Sequence, residues 1–148
     1  MARQRYLGYE EARDAGLLAT TPDLRFMLCM SGFTFSADAE NLADGTLDEF
    51  DGTNYTRYDA TTVARAYSSA RDQMEWTCDN GNGDEFGTSV GAGTEAPSVL
   101  VCYLHVDGTD ANDIILVSST DGSFADGNGG DMGLTLPNDI AIYSGNDA

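Results

Sequence analysis

The sequence has no lysine. Its positive charge comes entirely from seven arginines, set against 25 aspartates and glutamates, for a formal net charge of −18 over 148 residues. A surface of this sign does not bind nucleic-acid phosphates in general, because that affinity comes from Lys and Arg displacing counterions. It is repelled by anionic membranes as well. No run of about 18 apolar residues occurs, so the sequence predicts no membrane-spanning helix. The stretch from Tyr6 to Asp14 is too charged to be the apolar centre of a signal peptide. There is one histidine, His105, and one tryptophan, Trp76. One histidine leaves little scope for nucleophile–histidine–acid catalysis, and the G-x-S-x-G, P-loop and dinucleotide patterns are missing. No enzymatic activity is expected. The three cysteines, Cys29, Cys78 and Cys102, are odd in number and include no C-x-x-C pair. They read as buried free thiols of a protein that folds in a reducing cytoplasm.

What is present points to a folded chain. Hydrophobic residues make up 41%, too many for a disordered acidic polymer. The length suits one domain whose core needs neither disulfides nor metal. The charge is graded along the chain. Residues 1–25 hold four Arg and four acids, whereas residues 72–148 hold no Arg and 14 acids. Glu10–Leu18 has the composition of one or two helical turns ending near Gly16, too short to persist alone. Residues 1–22 therefore read as an N-terminal arm, flexible or ordered by a partner, and 23–148 as a single β domain.

Beyond Pro22 the pattern is one of short strands. Leu24–Met30, Thr61–Tyr67, Gln73–Cys78, Ser98–Val106 and Asp113–Ser118 carry the β-branched, aromatic or alternating sequences that strands require. Phe33–Phe35, Phe50–Tyr58, Leu134–Leu136 and Ile140–Tyr143 give weaker signals of the same kind. Asp-Gly-Thr or Asp-Gly-Ser occurs four times, beginning at Asp44, Asp51, Asp107 and Asp121, and Asp-Gly suits tight turns. Asp107-Gly108 opens a six-residue loop that joins Val99–Val106 to Asp113–Ser118 as a hairpin. Short strands punctuated by Gly and Asp predict an all-β chain, a β-sandwich or jelly-roll-like barrel with an N-terminal arm.

Few residues announce chemistry. His105 shares a strand face with Tyr103 and reads as a solvent- or interface-facing side chain. Trp76 alternates with Met74 and Cys78 on a core face, and Tyr55 and Tyr58 are placed for a rim. With 25 acids, carboxylate pairs carry no information about glycoside hydrolysis. Calcium is the one ion whose chemistry fits, since it takes oxygens from flexible loops. Asp121, Asp126 and Asp131, among glycines, could supply some of them, as could Asp107, Asp110 and Asp113; neither segment has EF-hand spacing. No other cofactor is expected. Arg3, Arg5 and Arg13 are suited to anchoring the arm on an acidic partner.

The order of segments resembles a group of small tailed-bacteriophage virion proteins of the capsid decoration (cement) or head-fibre kind. The matching pieces are Phe26-Met-Leu-Cys-Met30, Phe33-Thr-Phe-Ser-Ala-Asp38, Leu47-Asp-Glu-Phe50, Gly52-Thr-Asn-Tyr55, Thr62-Val-Ala64, Met74-Glu-Trp76, Val99-Leu-Val-Cys-Tyr103 and Ile114-Ile-Leu116. They span residues 24–143, and Asn54 stands where the third residue of the Gly-Thr-x-Tyr element is commonly Gly. The resemblance implies a β-sandwich on the virion surface, bound to the major capsid protein, often as a homotrimer at three-fold positions. It implies no catalytic residues. A phage protein made in host cytoplasm and released by lysis also agrees with free thiols and no signal peptide. The alternative is a head-fibre, tail-adaptor or glycan-binding module, with loops 79–97 and 121–133 meeting a host surface.

Overall fold

The structure, a computed structural model, describes residues 3–18, 22–60, 63–69, 73–77, 83–120, 124–134 and 142–143. Among these residues the fold is mainly β, with one α-helix. The larger sheet is antiparallel, in the order β1-β7-β6-β2-β3: β1 Arg3–Arg5, β7 Ile114–Ser119, β6 Val99–Leu104, β2 Leu24–Cys29 and β3 Tyr58–Asp59. A smaller sheet pairs β4 Ala64–Ser68, β5 Gln73–Thr77 and β8 Ile142–Tyr143.

The central strands are apolar on both faces, and both faces are covered. β6 is buried along its whole length, as its unbroken apolar run requires. Leu24, Phe26 and Leu28 of β2 and Leu100, Cys102 and Leu104 of β6 point into the larger hydrophobic cluster. Met27, Cys29, Val99, Val101 and Tyr103 point into a second cluster on the other side. Neither cover is a sheet of regular strands. Phe50, Phe86, Val90 and Leu134 close the first side, with Tyr55, Tyr58, Phe124 and Met132 around them. Phe33, Phe35, Ala39, Leu42 and Leu47 close the second.

The β6–β7 hairpin forms with the expected loop. Its register shifts between Cys102 and Tyr103, so that Leu116 is an extra residue on β7. A bulge turns two successive side chains to one side, and Leu116 and Val117 both enter the larger cluster. Phe33–Phe35 does not continue β2. Phe33 N–H donates to the Met30 carbonyl in a turn, and Thr34 makes a single bridge to Thr46. Cys29 and Cys102 are buried free thiols; Cys78 lies outside the described residues.

The reading of residues 1–22 as an arm is corrected. β1 pairs with β7, Arg3 opposite Ser119 and Arg5 opposite Val117. Helix α1, Leu7–Asp14, then packs on the sheet with Tyr9 and Ala12 buried. Tyr6, between them, is buried, and its hydroxyl is 2.7 Å from Ser118 Oγ. The helix is short, but its first amides have partners: Leu7 and Gly8 N–H donate to the carbonyls of Ala37 and Ala39, replacing a side-chain cap. Gly16, at φ +74, ends the helix with the left-handed residue that closes many helices. Residues 3–18 thus belong to the β domain.

Candidate functional site

Arg57 lies just before β3, in a segment that runs along the β2 edge of the larger sheet. Its Nε and Nη2 donate to the two carboxylate oxygens of Glu49 at 2.9 and 2.8 Å. Its Nη1 donates to Asp110 Oδ1 at 3.1 Å, and its guanidinium lies 5.5 Å from the Tyr103 ring centre. Planar, two-pronged pairing of this kind suits Arg and no other side chain. The Glu49 hydrogen bonds hold the Arg57 pKa well above its ordinary value, even though burial opposes this. Tyr55 extends the cluster inward: its hydroxyl donates to Glu49 Oε1 at 3.2 Å and accepts from the buried Leu28 N–H at 2.9 Å. Burial, then the Glu49 charge, push the Tyr55 phenol far up. Burial likewise keeps the Cys29 thiol protonated, with Glu49 adding to the effect. Tyr55 and Cys29 therefore both stay protonated at neutral pH.

Tyr55 ends the Gly52-Thr-Asn-Tyr55 element, which is a turn closed by Tyr55 N–H on the Gly52 carbonyl. Asn54 sits at φ +65, the left-handed region that Gly enters freely and Asn enters more readily than other side chains. Asn54 Nδ2 reaches across to the Ser89 carbonyl at 3.1 Å, and Ser89 is itself left-handed at φ +52. Thr56 N–H bonds to the Phe86 carbonyl and Gly91 N–H to that of Thr53. The turn is therefore tied to the loop 84–94. That loop is tied in turn to 124–134: Phe86 N–H bonds Met132, Val90 N–H bonds Gly130, and Gly129 N–H bonds Val90.

The acidic loops use their carboxylates as acceptors for backbone amides. Asp113 is 1% exposed, and its Oδ1 accepts from Val106, Asp107 and Gly108 N–H at 2.8, 3.1 and 3.1 Å. Burial raises its pKa, but the three amides together with His105 outweigh it and leave the group below the usual carboxylate range. Asp107 holds Thr109 and Asn112, and Asp44 holds the amides of Glu40 and Asn41. Gly32 is held by Asp48, Thr94 by Asp51, Ser31 by Glu95 and Leu134 by Glu85. His105 follows β6; its buried Nδ1 lies 3.6 Å from Asp113 Oδ2 and makes no hydrogen bond.

Arg5 and Arg13 are brought together around one side chain. Arg5 Nη2 is 3.0 Å and Arg13 Nη2 2.5 Å from the Glu10 carboxylate. Their guanidiniums lie 5.0 and 5.9 Å from the Tyr9 ring centre. Arg3 opens the same strand as Arg5, β1. Asp126 and Asp131 are in the loop 124–134, but Asp126 accepts from Gly93 and Gly127 N–H and Asp131 from Ser89 N–H. Asp121 lies outside the described residues, as do positions 79–82. Among the described residues no three His, Cys, Asp or Glu side chains converge as metal ligands.

Sequence reasoning missed the Glu49–Arg57–Asp110 cluster. Its one available signal was Arg57 itself, an isolated cation amid acids, eight residues after Glu49. Compared with protein-family models, curated proteins and solved structures, the chain finds no match.

Proposed function

We propose that this chain is a non-enzymatic structural protein of a tailed-bacteriophage virion. In this reading it is a capsid decoration (cement) protein, made in the host cytoplasm, that binds the shell of major capsid protein and stabilises it. The observation that carries the reading is the Gly52–Tyr55 turn. At the one position where this chain departs from the Gly-Thr-Gly-Tyr form, Asn54 keeps the left-handed backbone that the glycine suits, and Tyr55 is fastened to Leu28 and Glu49. The rest of the segment order supports it, as does a set of polar groups committed to holding loops in place. Binding of that kind needs a fixed surface more than it needs reactive groups. It stabilises only the assembled shell, because the ligand favours the assembled state over the dissociated one, and three-fold self-association multiplies each contact. The β-sandwich or jelly-roll-like arrangement belongs to this same proposal. So does docking through the β1–α1 edge, where Arg3, Arg5 and Arg13 meet acidic capsid groups, with Arg5 and Arg13 exchanging Glu10 for the partner.

The test is addition of the purified chain to undecorated capsids, followed by scanning calorimetry. Capsids are expected to melt at higher temperature in its presence; no shift at saturating protein overturns the proposal. A second reading, a head-fibre, tail-adaptor or glycan-binding module, is favoured by the hydrogen bonding of loops 84–94 and 124–134 into one lobe. It expects glycan binding that is lost on chelation or in an Asp126→Ala, Asp131→Ala variant, and binding that survives both removes calcium from it.

A further inference from the structure

Asn-Gly pairs begin at Asn80, Asn82 and Asn128. Of these, Asn128-Gly129 lies wholly among the described residues, in the loop 124–134, and Asn128, Gly129 and Gly130 are all exposed. Asn128 Oδ1 accepts from the Gly130 N–H at 2.9 Å. Gly129 N–H donates to the Val90 carbonyl at 2.7 Å, and Val90 N–H donates to the Gly130 carbonyl at 2.8 Å. Val90 is fully buried, so this two-way bridge ties an exposed loop to a fixed point of the loop 84–94. On the other side of Asn128, Asp126 Oδ1 accepts from Gly93 N–H at 3.0 Å. Gly127 is pressed so closely on the Val90 and Gly91 carbonyls that a Cβ there would collide with them. Both sides of Asn128 are thus fastened to the same short stretch, 90–93.

A side-chain amide and the backbone nitrogen that follows it can react with each other, because the chain itself holds the two together. A glycine in the second position leaves that nitrogen unshielded. In ring closure the Gly129 nitrogen attacks Asn128 Cγ. The N–Cγ bond forms, the proton on the nitrogen passes to solvent, and the Cγ–Nδ2 bond breaks to release ammonia. Negative charge gathers on Oδ1 as the nitrogen arrives, and the Gly130 N–H already points at that oxygen, a placing that stabilises such charge. Water then opens the succinimide at either carbonyl. One opening gives aspartate. The other gives isoaspartate, whose main chain runs through the side-chain carbon and is longer by a methylene. In sum water is consumed and ammonia released, with nothing oxidised or reduced. One contact opposes the reaction: the proton that the nitrogen must give up is held by Val90.

We propose that Asn128 is a self-modification site, gated by opening of the Val90–Gly129 hydrogen bond, and that isoaspartate formed there unlocks the loop 124–134 from the loop 84–94. A methylene inserted between Gly127 and Gly129 does not fit a segment held at both ends. The test is incubation of the full chain at mildly alkaline pH, folded and in concentrated urea, followed by chymotryptic peptide mapping. The peptide that follows Phe124 carries Asn128 and neither of the other Asn-Gly pairs. Isoaspartate at residue 128 is expected in the folded chain, formed about tenfold to a thousandfold more slowly than in urea, as a local opening step requires. Conversion adds a negative charge, so anion exchange separates converted from unconverted chain. The Val90 and Gly129 amides of the converted chain are expected to lose the hydrogen-exchange protection they have before conversion. Asn128→Ser keeps a short acceptor oxygen but has no amide to release, and is expected to keep that protection through the same incubation. Should it fold poorly, the two wild-type fractions decide. Equal rates in the folded and unfolded chain overturn the proposal, as does no conversion of the folded chain over months, or protection that survives conversion. Neither step rests on the capsid reading, and capsid binding is measured separately.

Discussion

Tyr55 shows what a single side chain does here. Its ring fills space between Phe50 and Phe86, at centre distances of 5.4 and 6.0 Å. Its hydroxyl is the acceptor for the Leu28 amide and a donor to Glu49. Tyr55→Phe keeps the ring and deletes the oxygen, leaving a buried N–H in β2 with no partner. The expected cost is about 1–3 kcal/mol, read as a lower urea midpoint with an unchanged m-value. A midpoint equal to wild type shows that water reaches the Leu28 amide. The role was half legible in the sequence. Gly52-Thr-Asn-Tyr55 stood out as a motif, but nothing in its spacing told that the phenol reaches Leu28, 27 residues back. Long-range partners of a side chain depend on how segments cross, and that is fixed by packing.

Among elements, α1 makes the sharpest case. A Cβ at Gly8 would run into the carbonyl oxygens of Glu40 and Ile115 and the Ile114 side chain. The absent side chain is what lets helix and sheet approach. Gly8→Ala improves helix propensity by about 1 kcal/mol, but the clash with backbone is expected to cost about 1–3 kcal/mol. Net destabilisation by thermal melting is the expected outcome, and a gain in stability shows that α1 can ride outward freely. The central strands were legible because β2, β6 and β7 carry apolar runs bounded by polar turns. The Asp107-Gly108 turn was legible from its dipeptide. The placement of α1 was not, because eight residues of mixed polarity look like a frayed end. The available signal was Tyr6, Tyr9 and Ala12 at three-residue spacing. Its weight became visible only with the sheet against which those residues pack. The irregular covers over both sheet faces were equally hidden, since Phe33, Phe50 and Phe86 are scattered among loop residues with no period to betray a common face.

At the scale of the whole molecule, two electrostatic effects oppose each other as pH falls. Asp113 lies below the usual carboxylate range, burial being outweighed by its three amides and His105. Asp44, Asp51, Asp107 and Glu95 are also lowered: the hydrogen bonds of Asn41 and Glu40, of Thr94, of Thr109 and Asn112, and of Ser31 favour their charged forms. Because these folded-state values lie below the unfolded ones, the stability they contribute is complete above the unfolded carboxylate range. It is lost as pH drops below about 4 and through the folded values. Protonation of the remaining acids relieves the self-repulsion of a −18 chain. The urea midpoint is therefore expected to hold or rise slightly from pH 7 to about 5 and to fall below about 4. A midpoint that still climbs at lower pH shows that repulsion outweighs the carboxylate–amide bonds. Asp113→Asn, which keeps an acceptor oxygen, should flatten the acid limb. Those bonds also divide the acidic surface into two populations with different histories. A carboxylate that closes a turn, as Asp44, Asp113 and Asp126 do, can be exchanged only for another short acceptor, whereas exposed positions such as Glu11 and Asp38 are free to become neutral or basic. Among descendants of this sequence, net charge should wander while those turn-closing aspartates stay.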